Sequence, residues 1–227
     1  MAIRHREKDV TLMLNSFKKI NNMVAVRTDK QKSKKPVVPD YLIYEELEGV
    51  PVYYRGYQNV LQGKQTPDEI MGYGYLQALL LTYLKDYLQP IIGKEMLIIQ
   101  GETGLHVGHK SNPSLDLCIY PKADISIQKA TKTYLDIAPT VVVEVDTKAD
   151  VTAFEQIKGT NYFLTKTQKL LDFGTKEMIW IFTKDQKVMV ARPNQPWLTV
   201  GWKDEIEILG HRFSINQIIK ESESEQE

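Results

Sequence analysis

Ser114-Leu115-Asp116-Leu117-Cys118-Ile119-Tyr120 and Thr140-Val141-Val142-Val143-Glu144-Val145-Asp146 decide the fold of this chain. Each is a near-continuous apolar run of strand length, the pattern of a strand covered on both faces. Each also carries an acid, and a carboxylate inside such a run must be paired, protonated or bound to a metal, because desolvating an unpaired charge is costly. Side chains two apart on a strand share a face, so Glu144 and Asp146 point the same way if the strand continues through both. With Asp116 on a neighbouring strand, three carboxylates converge. An all-oxygen set of this kind suits a hard divalent cation such as Mg²⁺. The competing readings are an ion pair of Asp116 or Glu144 with a helix lysine, a strand end emerging into water and, for Asp146, a cap on the helix that begins near Asp150.

Around these strands the punctuation predicts an alternation of helices and closely spaced strands. Thr66-Pro67-Asp68-Glu69 reads as a helix start, with a threonine N-cap, proline at the first position and acids for the dipole. Ile70, Tyr73, Leu76, Leu80, Tyr83, Leu84 and Tyr87 then recur at helical spacing to about Leu88, and Pro90 closes the helix. Val50 to Tyr57 reads as a strand, whereas Tyr41 to Glu48 fits either a short helix or a strand. Glu95 to Gln100 and Leu105 to Gly108 read as separate strands before the Asp116 strand, and residues 121–137 carry no clear periodicity. Val151 to Phe173 is helical in two pieces interrupted at Gly159, and Gly174 stops the second. Met178 to Thr183 and Lys187 to Ala191 form a hairpin, Trp197 to Val200 and Glu205 to Ile208 extend that sheet, and Ser214 caps a last helix from Ile215 to Lys220. Closely spaced strands pair antiparallel, while the helices between Val145 and Met178 are long enough to make one parallel crossover. The expected class is α/β, a mixed central sheet with helices on its faces.

The 227 residues suffice for one substantial core with appendages. Three segments are expected: a basic arm and linker over 1–40, a main domain over 41–220, and an acidic disordered tail over 221–227. The arm, with a short amphipathic helix from Val10 to Ile20, either contacts phosphates or is a solvated terminus. Net charge is zero, so overall charge selects no nucleic-acid partner. No apolar stretch is long enough for a membrane helix, and no secretory signal is evident. Cys118, the one cysteine, reads as a small buried hydrophobe; together these features fit a cytoplasmic protein. There is no glycine-rich phosphate loop, no Gly-x-Ser-x-Gly elbow and no cysteine-based zinc site.

Carboxylates holding Mg²⁺ next to a lysine suit phosphodiester hydrolysis. Candidate lysines are Lys148, of the same strand parity as Glu144, and Lys166 and Lys169 on the following helix. Glu102 is a further acid at a strand end that reads better as a turn residue. His106 and His109 fall on opposite faces of one strand and make no zinc pair. Trp180 reads as core, and Trp197 and Trp202 as packing residues that alternatively stack on bases.

Five stretches resemble the PD-(D/E)xK restriction-endonuclease-like superfamily and, within it, the Uma-two family of endonucleases. They are Tyr44-Glu45-Glu46-Leu47 with Tyr54-Arg55-Gly56; the helix Ile70 to Leu88; Asn112-Pro113-Ser114-Leu115-Asp116; Ala138-Pro139-Thr140-Val141-Val142-Val143-Glu144-Val145; and Lys166 to Gly174 followed by Ile179-Trp180-Ile181-Phe182. Together they span roughly residues 41–192. The resemblance implies a restriction-endonuclease-like mixed sheet, dependence on Mg²⁺ or Mn²⁺, and an endonuclease hydrolysing phosphodiester bonds in DNA as a homodimer. Asp116 and Glu144 would be catalytic and, with Asp146, hold the metal; Lys166, counted back from Gly174, would support the transition state. The sequence departs from the family where Pro113 stands three residues before Asp116 and where Asp146 replaces the motif lysine. A catalytically silent nucleic-acid-binding module and a structural or interaction domain are the alternatives on the same fold.

Overall fold

The computed structural model describes residues 37–128 and 133–224. Residues 1–36 of the basic arm and linker, with the expected helix from Val10 to Ile20, and the last three residues of the acidic tail lie outside the described residues.

Six strands form the central sheet: β3 (Met96–Gly104), β4 (Ser114–Pro121), β5 (Val141–Val145), β6 (Glu177–Phe182), β7 (Lys187–Ala191) and β8 (Leu198–Gly201), hydrogen-bonded in that order. Every pairing is antiparallel except β5 with β6, which is parallel. The sheet is mixed because the helices α4 (Val151–Lys158) and α5 (Tyr162–Phe173) supply the one crossover. Asp150 caps α4 by accepting from the Ala153 N–H, and Asn161 caps α5 through Leu164. Gly174, at φ 126°, ends α5 in a conformation that side chains rarely adopt.

All five residues of β5 are buried, as the unbroken apolar run requires of a strand sandwiched on both faces. Val141, Val143 and Val145 pack with Leu117, Ile119 and the Leu80, Leu84 and Leu88 stripe of α3 (Tyr75–Leu88). Val142 packs on the other side with Cys118, Tyr120, Phe154, Tyr162 and Trp180, so α4 and α5 cover that face. Cys118 is a buried free thiol and Trp180 a buried core residue, both as expected.

Several elements differ from the expectation, each for a local reason. The helix expected from Thr66 breaks into α2 (Asp68–Met71) and α3 at Gly72-Tyr73-Gly74, where both glycines take extended backbone. Thr66 does not act as the cap through its side chain; instead Glu69 reaches back to accept from its N–H and hydroxyl. β3 runs through Gly101 to Gly104 as one irregular strand, while Leu105 to Gly108 makes only isolated bridges. The ambiguous stretch after Tyr41 is β1 (Ile43–Leu47), paired with β2 (Val50–Tyr53) as a separate hairpin. Tyr57, expected in that strand, opens the short helix α1 (Tyr57–Leu61). β8 extends the sheet, but β9 (Ile206–Ile208) pairs instead with β10 (His211–Phe213). The last helix, α6, spans Ile215–Ser224 and so carries four residues of the expected tail.

Candidate functional site

The antiparallel register of β4 and β5 brings the two motif acids together. Leu117 pairs with Val143, Cys118 with Val142 and Ile119 with Val141. Asp116 and Glu144 are the next residue on each strand beyond the last pair, and the Asp116 charge is felt at Glu144. Both are 1 % exposed, so neither acid emerges into water.

Asp116 is satisfied where the strands part. Its Oδ2 accepts from the Val145 N–H at 2.9 Å and from Gln77 Nε2, on α3, at 3.0 Å. Burial raises its pKa, and those two hydrogen bonds and the Lys166 and Lys148 charges pull it back only in part. Glu144 is less well served. Its Oε1 lies 3.1 Å from Lys166 Nζ without hydrogen-bond geometry, and among the described residues neither carboxylate oxygen has a hydrogen-bond partner. Burial drives the Glu144 pKa well above the ordinary carboxylate range; Lys166 lowers it, while Asp116 and Glu45 raise it again.

Lys166 is the hub of the cluster and is fully buried. Its ammonium donates to Glu45 Oε2 at 3.0 Å and to the Ser114 carbonyl at 2.7 Å, and its third contact is Glu144. The rings of Tyr44, Tyr162 and Trp180 surround it, with centroids 5.6–5.9 Å from Nζ. Burial alone would depress this ammonium, but Glu144 and Glu45 outweigh it and raise the pKa above that of an ordinary lysine. Tyr162 and Lys166 are one turn apart on α5 and therefore share a face. Both reach Glu45, the Tyr162 hydroxyl donating to Oε1 at 2.7 Å, and the Ser114 N–H donates to Oε2.

Glu45 is the member of the cluster that sequence reasoning missed as a site residue. It sits in a short strand whose register shifts between Ile43 and Glu45, so Tyr44 and Glu45 are both buried and no period of two is visible. The signal available was the glutamate within Tyr44-Glu45-Glu46-Leu47, but nothing local distinguished Glu45 from Glu46.

Asp146 does not join its partner. β5 ends at Val145, and Asp146 takes φ 53°, which breaks the alternation on which its shared face with Glu144 depended. Its carboxylate instead accepts from the Thr183 N–H, at 2.9 Å, and from the Thr183 hydroxyl. Nor does it cap α4, a role that Asp150 fills. Lys148 is likewise off the strand, in an ion pair with Glu102 and 3.7 Å from the Tyr73 ring centroid. Lys169 is half-buried on α5. Glu102, at φ 42°, occupies the irregular step in β3 between Gln100 and Thr103. His106 is exposed and contacts Asn112 Oδ1 at 2.7 Å. Trp202 is buried, and Trp197 is half-buried against the Trp180 side of the core.

Among the described residues, no group of three or more His, Cys, Asp or Glu side chains is arranged to hold a metal ion. Two buried acids on adjoining strands still match the donor set of Mg²⁺, which takes one or two carboxylates and completes its shell with water and substrate phosphate oxygens. Buried Glu144 oxygens without hydrogen-bond partners are the feature that such an ion would satisfy. A cleft of about 420 Å³ lies beside the cluster, lined by Arg55, Gln77, Asp146, Lys148 and Thr183 among others. Through Gln77 it reaches the side chain bonded to Asp116. Among the described residues no helix is long and apolar enough to cross a membrane.

No family model matches the chain, and no curated protein matches it. Among solved structures it is similar to a protein from Anabaena variabilis ATCC 29413 described as a "putative nuclease belonging to DUF820". The two are 14% identical, the match covers 77% of this chain and 88% of that one, and the TM-score is 0.52. At that identity the likeness is one of fold alone.

Proposed function

We propose that the chain is a metal-dependent endonuclease that hydrolyses phosphodiester bonds in DNA, with its centre at Asp116, Glu144 and Lys166. The observation that carries this reading is the buried Glu144 carboxylate, whose oxygens have no hydrogen-bond partners among the described residues beside a single ammonium, on the strand adjoining that of buried Asp116. Glu45 and Glu144 both contact the single Lys166 ammonium, and Asp116 adds a further buried acid that raises the Glu144 pKa. A divalent cation would add positive charge beside these acids.

Asp116 and Glu144 would hold Mg²⁺ or Mn²⁺. Such an ion would polarise the phosphoryl oxygen, lower the pKa of a water and stabilise the leaving oxygen. Lys166 keeps positive charge beside Glu144 and so favours its ionised, ligating form. Val145 and Gln77 fix the Asp116 carboxylate by hydrogen bonds, which pre-orients it. Water attacks phosphorus and gives up a proton to solvent, one P–O ester bond breaks, and the leaving alkoxide takes up a proton from solvent to depart as the alcohol. Asp146, turned onto Thr183, is assigned no part in this scheme. By analogy with nucleases of this kind, the chain works as a homodimer with each site cutting one strand.

The test is nicking of supercoiled plasmid in Mg²⁺ or Mn²⁺. Wild type is expected to nick, and Glu144→Gln and Asp116→Asn to lose nicking while melting cooperatively. The burial of the whole cluster favours a second reading, a catalytically silent nucleic-acid-binding module. Salt-sensitive DNA binding with no nicking in either metal, and no metal-dependent rise in Tm, would select that reading.

A further inference from the structure

The lysine in the motif position has no free valence for a substrate. An ammonium has three N–H donors. In Lys166 two of them are given to Glu45 and the Ser114 carbonyl, and the ammonium lies 3.1 Å from Glu144 inside a box of three aromatic rings and with no exposed surface. A phosphate reaching Lys166 would have to displace two buried carboxylates.

Lys148 is placed differently. Its side chain is 11 % exposed and lines the 420 Å³ cleft that adjoins the Asp116 partner Gln77. Its backbone is pinned: the Arg55 N–H donates to the Lys148 carbonyl, Arg55 Nη2 donates to the Thr147 carbonyl at 2.9 Å, and Tyr54 bridges to Ala149. A fixed main chain thus presents a long cationic side chain to the cleft, where Arg55 supplies a second cation. Of the acids lining that cleft, Asp146 is turned onto Thr183 and Glu69 onto Thr66. The carboxylate that Lys148 does hold is Glu102, which is 29 % exposed and is set out of register by the irregular step in β3.

We propose that Lys148, rather than Lys166, is the cation that receives a backbone phosphate of the nucleic acid, and that Glu102 is an internal stand-in which the phosphate displaces. The inference rests on the nuclease reading above. It divides the work between two lysines. Lys166 neutralises the buried acids, and Lys148 meets the incoming anion at the mouth. The exchange conserves charge pairing: one oxyanion leaves the ammonium as another takes its place. Lys148 also lies 3.3 Å from the Met71 carbonyl and over Tyr73, between Gly72 and Gly74. Both contacts are to the junction between α2 and α3.

The two partners of the ion pair make opposite predictions, which a merely structural salt bridge does not. Binding of a short fluorescent DNA duplex is followed as a function of salt with Ca²⁺ replacing Mg²⁺, together with plasmid nicking in Mg²⁺. Lys148→Gln is expected to weaken binding and to flatten the log–log salt slope by about 0.9, one phosphate contact. Lys148→Arg should restore most of the binding. Glu102→Gln frees the ammonium and is expected to tighten binding several-fold, at an unchanged or steeper slope. If both variants weaken binding, or neither changes it while wild type binds and nicks, the assignment to Lys148 is overturned and the nuclease reading stands. If wild type neither binds nor nicks DNA, both fall together. Melting curves of each variant identify any loss that comes from misfolding, and the gain in Glu102→Gln cannot arise that way.

Discussion

Replacing Lys166 by methionine tests the charge arrangement most directly. Methionine keeps most of the apolar stem and fits the box of Tyr44, Tyr162 and Trp180, so little packing is lost. What disappears is the ammonium, which lies 3.0 Å from Glu45 and 3.1 Å from Glu144 in a fully buried setting. Removing one partner of a buried ion pair typically costs about 3–5 kcal/mol, because the remaining charge is left uncompensated. Against a typical domain stability of about 5–15 kcal/mol, that is a third or more of the total. The cost also depends on pH. Burial already raises the Glu144 pKa, and Lys166 is the principal group lowering it, so the variant carries a still higher folded-state value. A folded-state carboxyl pKa above the unfolded value gives stability that is present at low pH and lost as pH rises through the folded value. The Lys166→Met deficit should therefore be largest near pH 8 and shrink towards pH 4.5. Urea unfolding at both pH values measures it. Adding Glu45→Gln and Glu144→Gln to Lys166→Met should recover most of the loss at pH 8. A deficit below about 1 kcal/mol at pH 8, or one that does not vary with pH, would refute the picture of one buried ammonium compensating Glu45 and Glu144.

Three further outcomes follow from local geometry. Burial pushes Glu177 up to about 7 despite its ion pair with Arg192, so wild-type stability should fall between pH 4.5 and 7 by up to about 3 kcal/mol; in Glu177→Gln the thermal-melt profile over that window should be flatter. Gly174→Ala places a methyl 3.2 Å from the Ala138 Cβ on a backbone at φ 126°, and urea unfolding should show a loss of about 1–2 kcal/mol. Asp150→Ala removes the acceptor for the Ala153 N–H and should cost about 1 kcal/mol in the same assay, with Asp150→Ser restoring most of it.

The sequence was most informative where one interaction dominates locally. Ser114 to Tyr120 and Thr140 to Val145 are apolar enough that only a doubly covered strand buries them, and they form β4 and β5. Gly159 and Gly174 end helices because side chains rarely occupy their positive-φ conformations. From these follow the mixed sheet, the parallel crossover through α4 and α5, and the adjacency of Asp116 and Glu144. The residues Gly72-Tyr73-Gly74 were harder to read, since helical periodicity continues straight through the break that two glycines permit.

Composition and periodicity thus determined which segments are strands, which are helices, and that acids would lie inside the sheet, because burying an apolar run is a local demand. Only the tertiary structure decided how those acids are neutralised. Glu45 meets Lys166 across 121 residues of chain, and Asp116 meets Gln77 across 39. Asp146 leaves the cluster because one residue turns to φ 53° where β5 ends. Pairings between distant segments depend on strand register and helix placement, and a single backbone rotation redirects a side chain; neither is written in the spacing of nearby residues.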